Sequence, residues 1–448
     1  MTAAIYHPSL YDRQRFHPSY WASNVAAPDY GSLSGDRQVE VAIIGGGYTG
    51  LSTALHLARD HGIQALVLEA GAIGWGASGR NAGFNTLPAS KLSAKAVFQR
   101  WPEAEARAFF AAQREGQALI YQLAAEENFD LQACGNGIFQ VAHSPGAHAE
   151  LAEEGQQLAR AGIPNRLLSA SEFASVGHGG PDQFGALHML EGGGINPLQL
   201  TYGLAAAASR HGAQLYAHSP MQQWRKQAGW HELITPNGTV RARQVVLASN
   251  GYRDSEEPLA LRNRVLPAIS NILVTRPLSA AQWQAIGLHS LAPMSDTRML
   301  VSYYRRLNDG RLLFGARSDT WGDPRQDGKM RAALEQLIRQ KFPACGVLDS
   351  EFFWRGLVAV TRKMVPTWGR APDDTSVLFN LGCFGSGVNT AAWLGRAMAR
   401  SLAGQALSAN ENSAVFRQLP ARLPASPWLQ RKGLQLAYLH YALQDRLQ

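Results

Sequence analysis

Residues 39–50 read VEVAIIGGGYTG, and residues 51–62 continue LSTALHLARDHG. The first eight are β-branched and nearly continuously apolar, the composition of a strand buried on both faces. After the glycines, Leu51, Ala54, Leu55 and Ala58 recur at helical spacing until Gly62 supplies a stop. ALVLEA, residues 65–70, is a second buried strand. The stretch is therefore a strand–helix–strand unit of about thirty residues, the size of a βαβ motif. Gly45, Gly47 and Gly50 satisfy GxGxxG. The first glycine allows the tight turn, the second lets backbone approach a pyrophosphate, and the third permits close helix–strand packing. The helix that follows directs its unpaired amino-terminal N–H groups at the phosphates. Glu69 closes the second strand nineteen residues beyond Gly50. A carboxylate there accepts both hydroxyls of an adenosine ribose and disfavours a 2′-phosphate.

A second glycine run follows at once: residues 71–83 read GAIGWGASGRNAG, with glycine at 71, 74, 76, 79 and 83. That density is costly, because glycine loses the most backbone freedom on folding. A nicotinamide dinucleotide does not demand it. FAD carries a ribityl chain and a wide tricyclic ring, so more backbone must lie close to it. Small residues there avoid Cβ clashes, and exposed N–H groups and the Ser78 hydroxyl can donate to phosphate and ribityl oxygens. The expected cofactor is FAD.

With 448 residues, 46% of them apolar and 17% charged, the chain has the composition of an ordinary globular protein of two or three domains. No run of eighteen apolar residues predicts a transmembrane helix, and the first thirty-six residues lack the pattern of a secretory signal. A cytoplasmic location is the expectation. Cys134, Cys345 and Cys383 are odd in number and have no CxxC spacing, so neither a disulfide framework nor a metal site is expected. The net charge of +8 is spread along the chain, with no dense basic tract and no nucleic-acid module.

Strand–turn–helix grammar recurs in the middle of the chain (VVLAS, 245–249) and near its end (SVLFNLGCFGSGVNTAAWLGRAMARSL, 376–402). One dinucleotide-binding domain is thus assembled from separated segments. Residues 96–128 read as a surface helix opening an inserted domain, and residues 265–345 as alternating strands. Pro-Asn-Gly at 236–238 and Asn-Asp-Gly at 308–310 mark hairpin turns. The expected division is an extension over 1–36; cofactor-domain segments 37–95, 186–264 and 349–405; substrate-domain segments 96–185 and 265–348; and a helical tail over 406–448. The fold class is α/β, a Rossmann-like FAD-binding domain with an inserted α+β substrate domain on a mostly antiparallel sheet.

The run VAIIGGGYTGLSTALHLA…LVLEAGAIGWGASGRNAGF resembles the amino-terminal signature of the D-amino acid oxidase and glycine oxidase superfamily of flavoproteins. Within it, GWGASGRNAG and the upstream SYWASNVA (19–26) are most similar to the γ-glutamylputrescine oxidase branch. The resemblance continues through GGGINPLQLTYGLAAAASRHGAQLY, VVLASNGY and YYRRLNDGRLLFGARS, covering most of residues 19–405. It implies FAD as cofactor and oxidation of a carbon–nitrogen single bond. It also assigns Gly45, Gly47, Tyr48, Thr49, Gly50, Glu69 and Ala70 as FAD contacts. Gly76, Ala77, Ser78, Arg80, Asn81, Ala82 and Gly83 fall on the loop along ribityl and flavin. Met221 falls where the family uses backbone to hold the adenine, although its side chain alone would read as core, and Ser249 joins the set. GCFGSGVNTAAWLG (382–395) resembles the closing glycine turn and helix, whose positive end faces the region of the flavin where negative charge builds. Gly385, Gly387, Val388, Asn389 and Thr390 are the expected backbone contacts. Ser386 stands where many relatives have histidine. Cys383 lies nearby, and some relatives hold flavin covalently through a cysteine in a different local motif.

WRGLVAVTRKMVPTWG (354–369) aligns without gaps to a glycine oxidase pattern in which an arginine, four residues after the tryptophan, clamps the substrate α-carboxylate. That position is Val358. The bidentate partner of a free amino-acid carboxylate is missing there, which points to an amine whose reacting end carries no carboxylate. Arg355, Arg362 and Lys363 either grip an anion farther out or are solvated strand-flanking charges. Phe84, Tyr303 and Trp354 are aromatic candidates for the pocket wall, a role that competes with ordinary core packing. No catalytic carboxylate, histidine or Ser-His-Asp set is expected, since hydride goes to the flavin. The expected partners are a small amine and O2, with no nucleic acid, in a monomer or small homo-oligomer. The alternative is a membrane-associated amino acid or imino acid dehydrogenase passing electrons to quinone. Its motive is the amphipathic tail SPWLQRKGLQLAYLHYALQDRLQ with Arg431 and Lys432. A non-enzymatic flavin-binding protein and an α-amino or imino acid oxidase using a relocated arginine are the remaining readings.

Overall fold

The computed structural model describes residues 5–87, 90–252 and 256–447. Two large sheets organise them. In the first, strands run in the order Thr367–Ala371, Asp374–Leu381, Gly238–Leu247, Arg37–Ile44, Ala65–Leu68, Gln214–Tyr216. The last five are mutually parallel, and the hairpin strands Trp230–Thr235 and Gln223–Gln227 branch antiparallel from Gly238–Leu247. Arg37–Ile44 enters from solvent and is buried on both faces from Val41 onward, as its unbroken apolar half requires. Helices Tyr48–His61, Pro197–Arg210 and Gly387–Leu402 pack with one another against this sheet. The three segments that share the strand–turn–helix grammar thus meet in one layer.

The second sheet runs Ser350–Val360, Leu266–Thr275, Leu312–Ala316, Ser302–Arg306, Met294–Asp296, Ile138–Val141, Ala186–Met189, Asn165–Leu168. Every pairing is antiparallel except that of Met294–Asp296 with Ile138–Val141. Both expected hairpins form, with Thr235 opposite Gly238 and Arg306 opposite Leu312. Two strands sit on the other side of the expected segment limits. Ser350–Val360 pairs with Leu266–Thr275 along nearly its whole length, and Ala186–Met189 lies between Ile138–Val141 and Asn165–Leu168. Sheet membership is set by these pairings, which the apolar pattern of a single strand does not disclose.

The expected surface helix is instead Glu103–Glu126, an element of the core. Ala106, Phe109, Phe110, Gln113, Gln117, Ile120 and Leu123 form a buried stripe, and Gly116 lies against Asn389 and Trp393 of the closing helix. Its charged residues lie outside that stripe, and Gln113 and Gln117 are the polar residues within it.

Both chain ends are docked. Trp75 Nε1 donates to the carbonyls of Asp12 and Arg15, and Trp21 Nε1 donates to Asn81 O, so the extension lies over the second glycine run. The terminal helix Pro427–Leu447 buries Leu434 among Tyr6, Leu10, Ile269 and Leu357. Arg431, one of the two basic residues behind the membrane alternative, stacks over Trp321 at 4.1 Å and donates to Ile5 O. Among the described residues no helix is long and apolar enough to cross a membrane.

The crossing of Gly387–Leu402 with Tyr48–His61 is closest at Gly395, where a Cβ would lie 2.6 Å from Thr49 O. Gly395→Ala should therefore destabilise by about 1–3 kcal/mol. Gly433→Ala, with nothing within 4 Å of its Cβ, should stabilise by about 0.5–1 kcal/mol. Denaturant midpoints of the two variants check this contrast, and equal effects would contradict it.

Candidate active site

The first glycine turn leaves no room for side chains. A Cβ on Gly50 would overlap Gly45 O, and one on Gly47 would lie 2.8 Å from Ser78 Oγ. That hydroxyl accepts the Tyr48 N–H at 3.0 Å, so the second glycine run reaches back to the first turn of the helix. The phenol of Tyr48 donates toward Ser78 O (2.9 Å) and Pro197 O (3.0 Å) and accepts from Asn81 Nδ2. Asn81 also accepts the Gly83 N–H at 2.8 Å. Gly83 has φ +71°, and a Cβ there would overlap Ile195 O, so only glycine fits.

Glu69 joins the two runs. Its carboxylate accepts the Gly46 N–H at 2.7 Å and the Gly71 N–H at 2.9 Å. Burial raises its pKa, and these N–H groups pull the other way. Each oxygen retains a second lone pair for a further donor. Ser219 N–H donates to Glu69 O, which brings the 217–221 segment alongside. The Met221 side chain is core, packed with Leu66, Leu68 and Leu233. Ala248 and Ser249 lie against Gly45, and Ser249 Oγ donates to Glu257 at 3.3 Å.

The closing turn completes the arrangement. Ser386 donates its N–H to Cys383 O and stands at the N-cap position of the Gly387–Leu402 helix, without a side-chain cap bond. Asn250 Oδ1 accepts the Gly382 N–H, tying this turn to the end of Gly238–Leu247. Val388, Asn389 and Thr390 are buried, and Asn389 Nδ2 donates to Thr86 O. Thr49 is tied to the same region, its Oγ1 accepting from Asn380. Phe84 follows Gly83 in a two-strand ribbon with Gly193–Gly194 and meets Tyr303 edge-on at 5.9 Å. Val358 Cγ1 lies 3.9 Å from the point where a Cβ on Gly385 would stand. The Gly385 turn, Val358, Tyr303 and Phe84 therefore lie where the two layers meet.

The family model described as FAD dependent oxidoreductase (DAO) matches residues 40–401. The chain belongs to the DAO family of FAD-dependent oxidoreductases. It is 30% identical over 442 residues to gamma-glutamylputrescine oxidoreductase of Escherichia coli (strain K12), covering 96% of this chain and 98% of that one. It is 28% identical over 432 residues to the probable oxidoreductase OrdL of Rhizobium meliloti (strain 1021), covering 95% and 97%. Among solved structures, glycine oxidase from Geobacillus kaustophilus superposes with a TM-score of 0.74 at 21% identity, covering 87% of this chain and 100% of that one.

The residues of this DAO-family chain fit FAD. Two runs of backbone with no space for Cβ atoms converge on a carboxylate with acceptor capacity in hand, and a helix terminus faces them from the closing turn. Three of the candidate side chains spend their polar groups on partners within the chain. Trp354 is fully buried and donates its indole N–H to Arg80 O, so it braces the glycine loop and does not face a pocket. Arg355 is buried and paired with Asp319 at 2.8 Å and with Asp327, which consumes the charge offered to an anion. Lys363 donates to Val415 O and Gln418 O, and burial pushes its ammonium down to about 7. Arg362 is exposed on the turn after Ser350–Val360. The Arg80 guanidinium is turned inward, onto Trp75 O at 2.7 Å and the Trp75 ring at 4.3 Å.

Sequence reading missed Arg305, which is buried and donates to Ile195 O at 2.7 Å and to Gly83 O, clamping the loop from behind. Strand alternation in YYRR puts it on the face of Tyr303, a usable signal. The 350 Å³ cavity lined by Asp182, Asp296, Arg298 and Lys341 lies elsewhere in the second sheet, and its charges pair with one another.

Glu69→Ala removes the acceptor that serves both runs and should weaken FAD binding by about 10- to 100-fold, read by titrating apoprotein with FAD. Cys383 is buried, its thiol pushed up to about 11, so it is no thiolate nucleophile at neutral pH. Acid precipitation should release all of the flavin and leave a colourless pellet; a yellow pellet contradicts this.

Proposed function

We propose that the protein is an amine oxidase. It dehydrogenates a C–N bond of a γ-glutamylputrescine-like or other ω-amine to an imine, which water converts to an aldehyde, while O2 is reduced to H2O2. FAD bound in the glycine cradle supplies the two-electron oxidation and hands the electrons to oxygen. The protein's share is position, desolvation and electrostatics. Phe84 and Tyr303 present aromatic faces suited to the stem of an amine. Burial pushes the Tyr303 phenol up to about 12, so it stays protonated, exchanging a hydrogen bond with Ser270 Oγ at 2.8 Å. A neutral hydroxyl there leaves the amine free to lose its proton before oxidation.

The observation that carries the reading is Val358. It stands beside the closing turn, where an arginine would hold an α-carboxylate, and its side chain is apolar. The family relative named gamma-glutamylputrescine oxidoreductase supports it further. A dehydrogenase passing electrons to quinone at a membrane surface is the second reading. It is favoured by the exposed Trp428, Leu436, Leu439 and Leu443 of the terminal helix.

An anaerobic amine screen read by flavin bleaching tests the reading. ω-Amines should bleach the flavin and glycine should not, and air should then return one peroxide per turnover. Equal bleaching by simple α-amino acids would overturn the role of Val358, and dye reduction without oxygen uptake would favour the quinone reading.

A further inference from the structure

Cross-strand register fixes which side chains share the sheet face turned to the glycine loops. Ala268 pairs with Val358, Ser270 with Gly356, and Ile272 with both Trp354 and Gly315. Tyr303 is opposite Gly315. Directly opposed residues project to one face, and the alternation continues along each strand. Arg317, two residues beyond Gly315, therefore follows it onto the face of Tyr303, Ser270 and Val358.

The Nη2 of Arg317 and the Cγ1 of Val358 each lie 3.9 Å from the same point, the Cβ position of Gly385. A guanidinium thus reaches the spot beside the closing turn from a different strand. Among the described residues Arg317 makes no hydrogen bond and no ion pair, and the ammonium of Lys91 makes none either. Lys91 is exposed, and the charges of Arg317 and Asp296 act on it in opposite directions. The Arg317 guanidinium also acts on the phenols of Tyr303 and of Tyr438 from the terminal helix. A guanidinium that has no hydrogen-bonded counterion gains electrostatic energy when an anion is brought beside it. A planar guanidinium with its fork unpaired matches a carboxylate.

We propose that Arg317 binds a carboxylate on the amine substrate, on its chain and away from the carbon that is oxidised. The substrate class is then amines bearing a remote carboxylate. This deepens the amine-oxidase reading and rests on it. Val358 offers a carboxylate no partner on its own strand, while the Arg317 guanidinium reaches in from beyond Leu312–Ala316 and acts on Tyr303 and on Tyr438 of the terminal helix, the side proposed for the rest of a longer substrate.

The test compares ω-amino acids of increasing length with alkylamines of the same length, by anaerobic flavin reduction of the holoenzyme. Wild type should bind one or more ω-amino acids tighter than the matched alkylamine. In Arg317→Met that preference should fall by about 10- to 100-fold, with an intermediate fall in Arg317→Lys. Hexanoate, titrated into the oxidised holoenzyme and followed by flavin absorbance, should bind wild type and lose affinity in Arg317→Met. An unchanged preference and an unchanged hexanoate affinity in Arg317→Met overturn the proposal, as does a wild-type preference for α-amino acids. If no amine bleaches the flavin, the oxidase reading fails, and the hexanoate titration still decides the carboxylate site. FAD content and thermal midpoint of each variant separate loss of the site from loss of the fold.

Discussion

The carboxylate of Glu69 accepts one N–H from each glycine run, 2.7 Å from Gly46 and 2.9 Å from Gly71. That pair of bonds holds two strand-to-helix turns at a separation where peptide groups alone form the surface. Around it the chain removes every Cβ that would intrude. The carbonyls of Gly45 and Ile195 occupy the space beside Gly50 and Gly83, and Ser78 occupies the space beside Gly47. Backbone so packed offers fixed dipoles to an elongated, anionic cofactor, and it needs little rearrangement on binding.

The rest of the molecule braces this cradle from outside. Trp354 and Arg305 reach from the second sheet to carbonyls of the glycine loop. Trp21 and Trp75 fasten the amino-terminal segment over it. Trp21 and Trp354 spend their single N–H donor on carbonyls of the loop, and Trp75, within the loop, spends its own on carbonyls of the amino-terminal segment. The second sheet contributes the opposite wall, where Gly315 makes room for the Tyr303 ring and Tyr303 faces Phe84. The proposed division of labour follows: the first layer would hold the cofactor, and the second would select what approaches it.

How legible this was depends on the range of the interaction. GxGxxG, the acidic strand end and the dense second run are local signals, and they pointed to an FAD-binding α/β layer without any contact information. The closing turn was legible for the same reason. What the chain did not disclose were pairings across hundreds of residues. Ser350–Val360 reads as a strand in either layer, and only its register with Leu266–Thr275 decides between them. Glu103–Glu126 looks like a surface helix because charged and amide residues are interspersed along its whole length, two of them, Gln113 and Gln117, within the buried stripe. Trp354 and Arg355 look like pocket residues until the partners that consume them, Arg80 O and Asp319, are seen. Arg317 looks like any strand-end charge until its lack of a partner is visible.

The most direct measurement is a crystal structure of the protein as purified, with its own cofactor. The account predicts an adenosine ribose on Glu69, pyrophosphate at the Gly45–Gly50 turn and the flavin ring against the Gly385 turn, facing Val358 and Tyr303. A cofactor seated elsewhere, with Glu69 making only its bonds to Gly46 and Gly71, would contradict it.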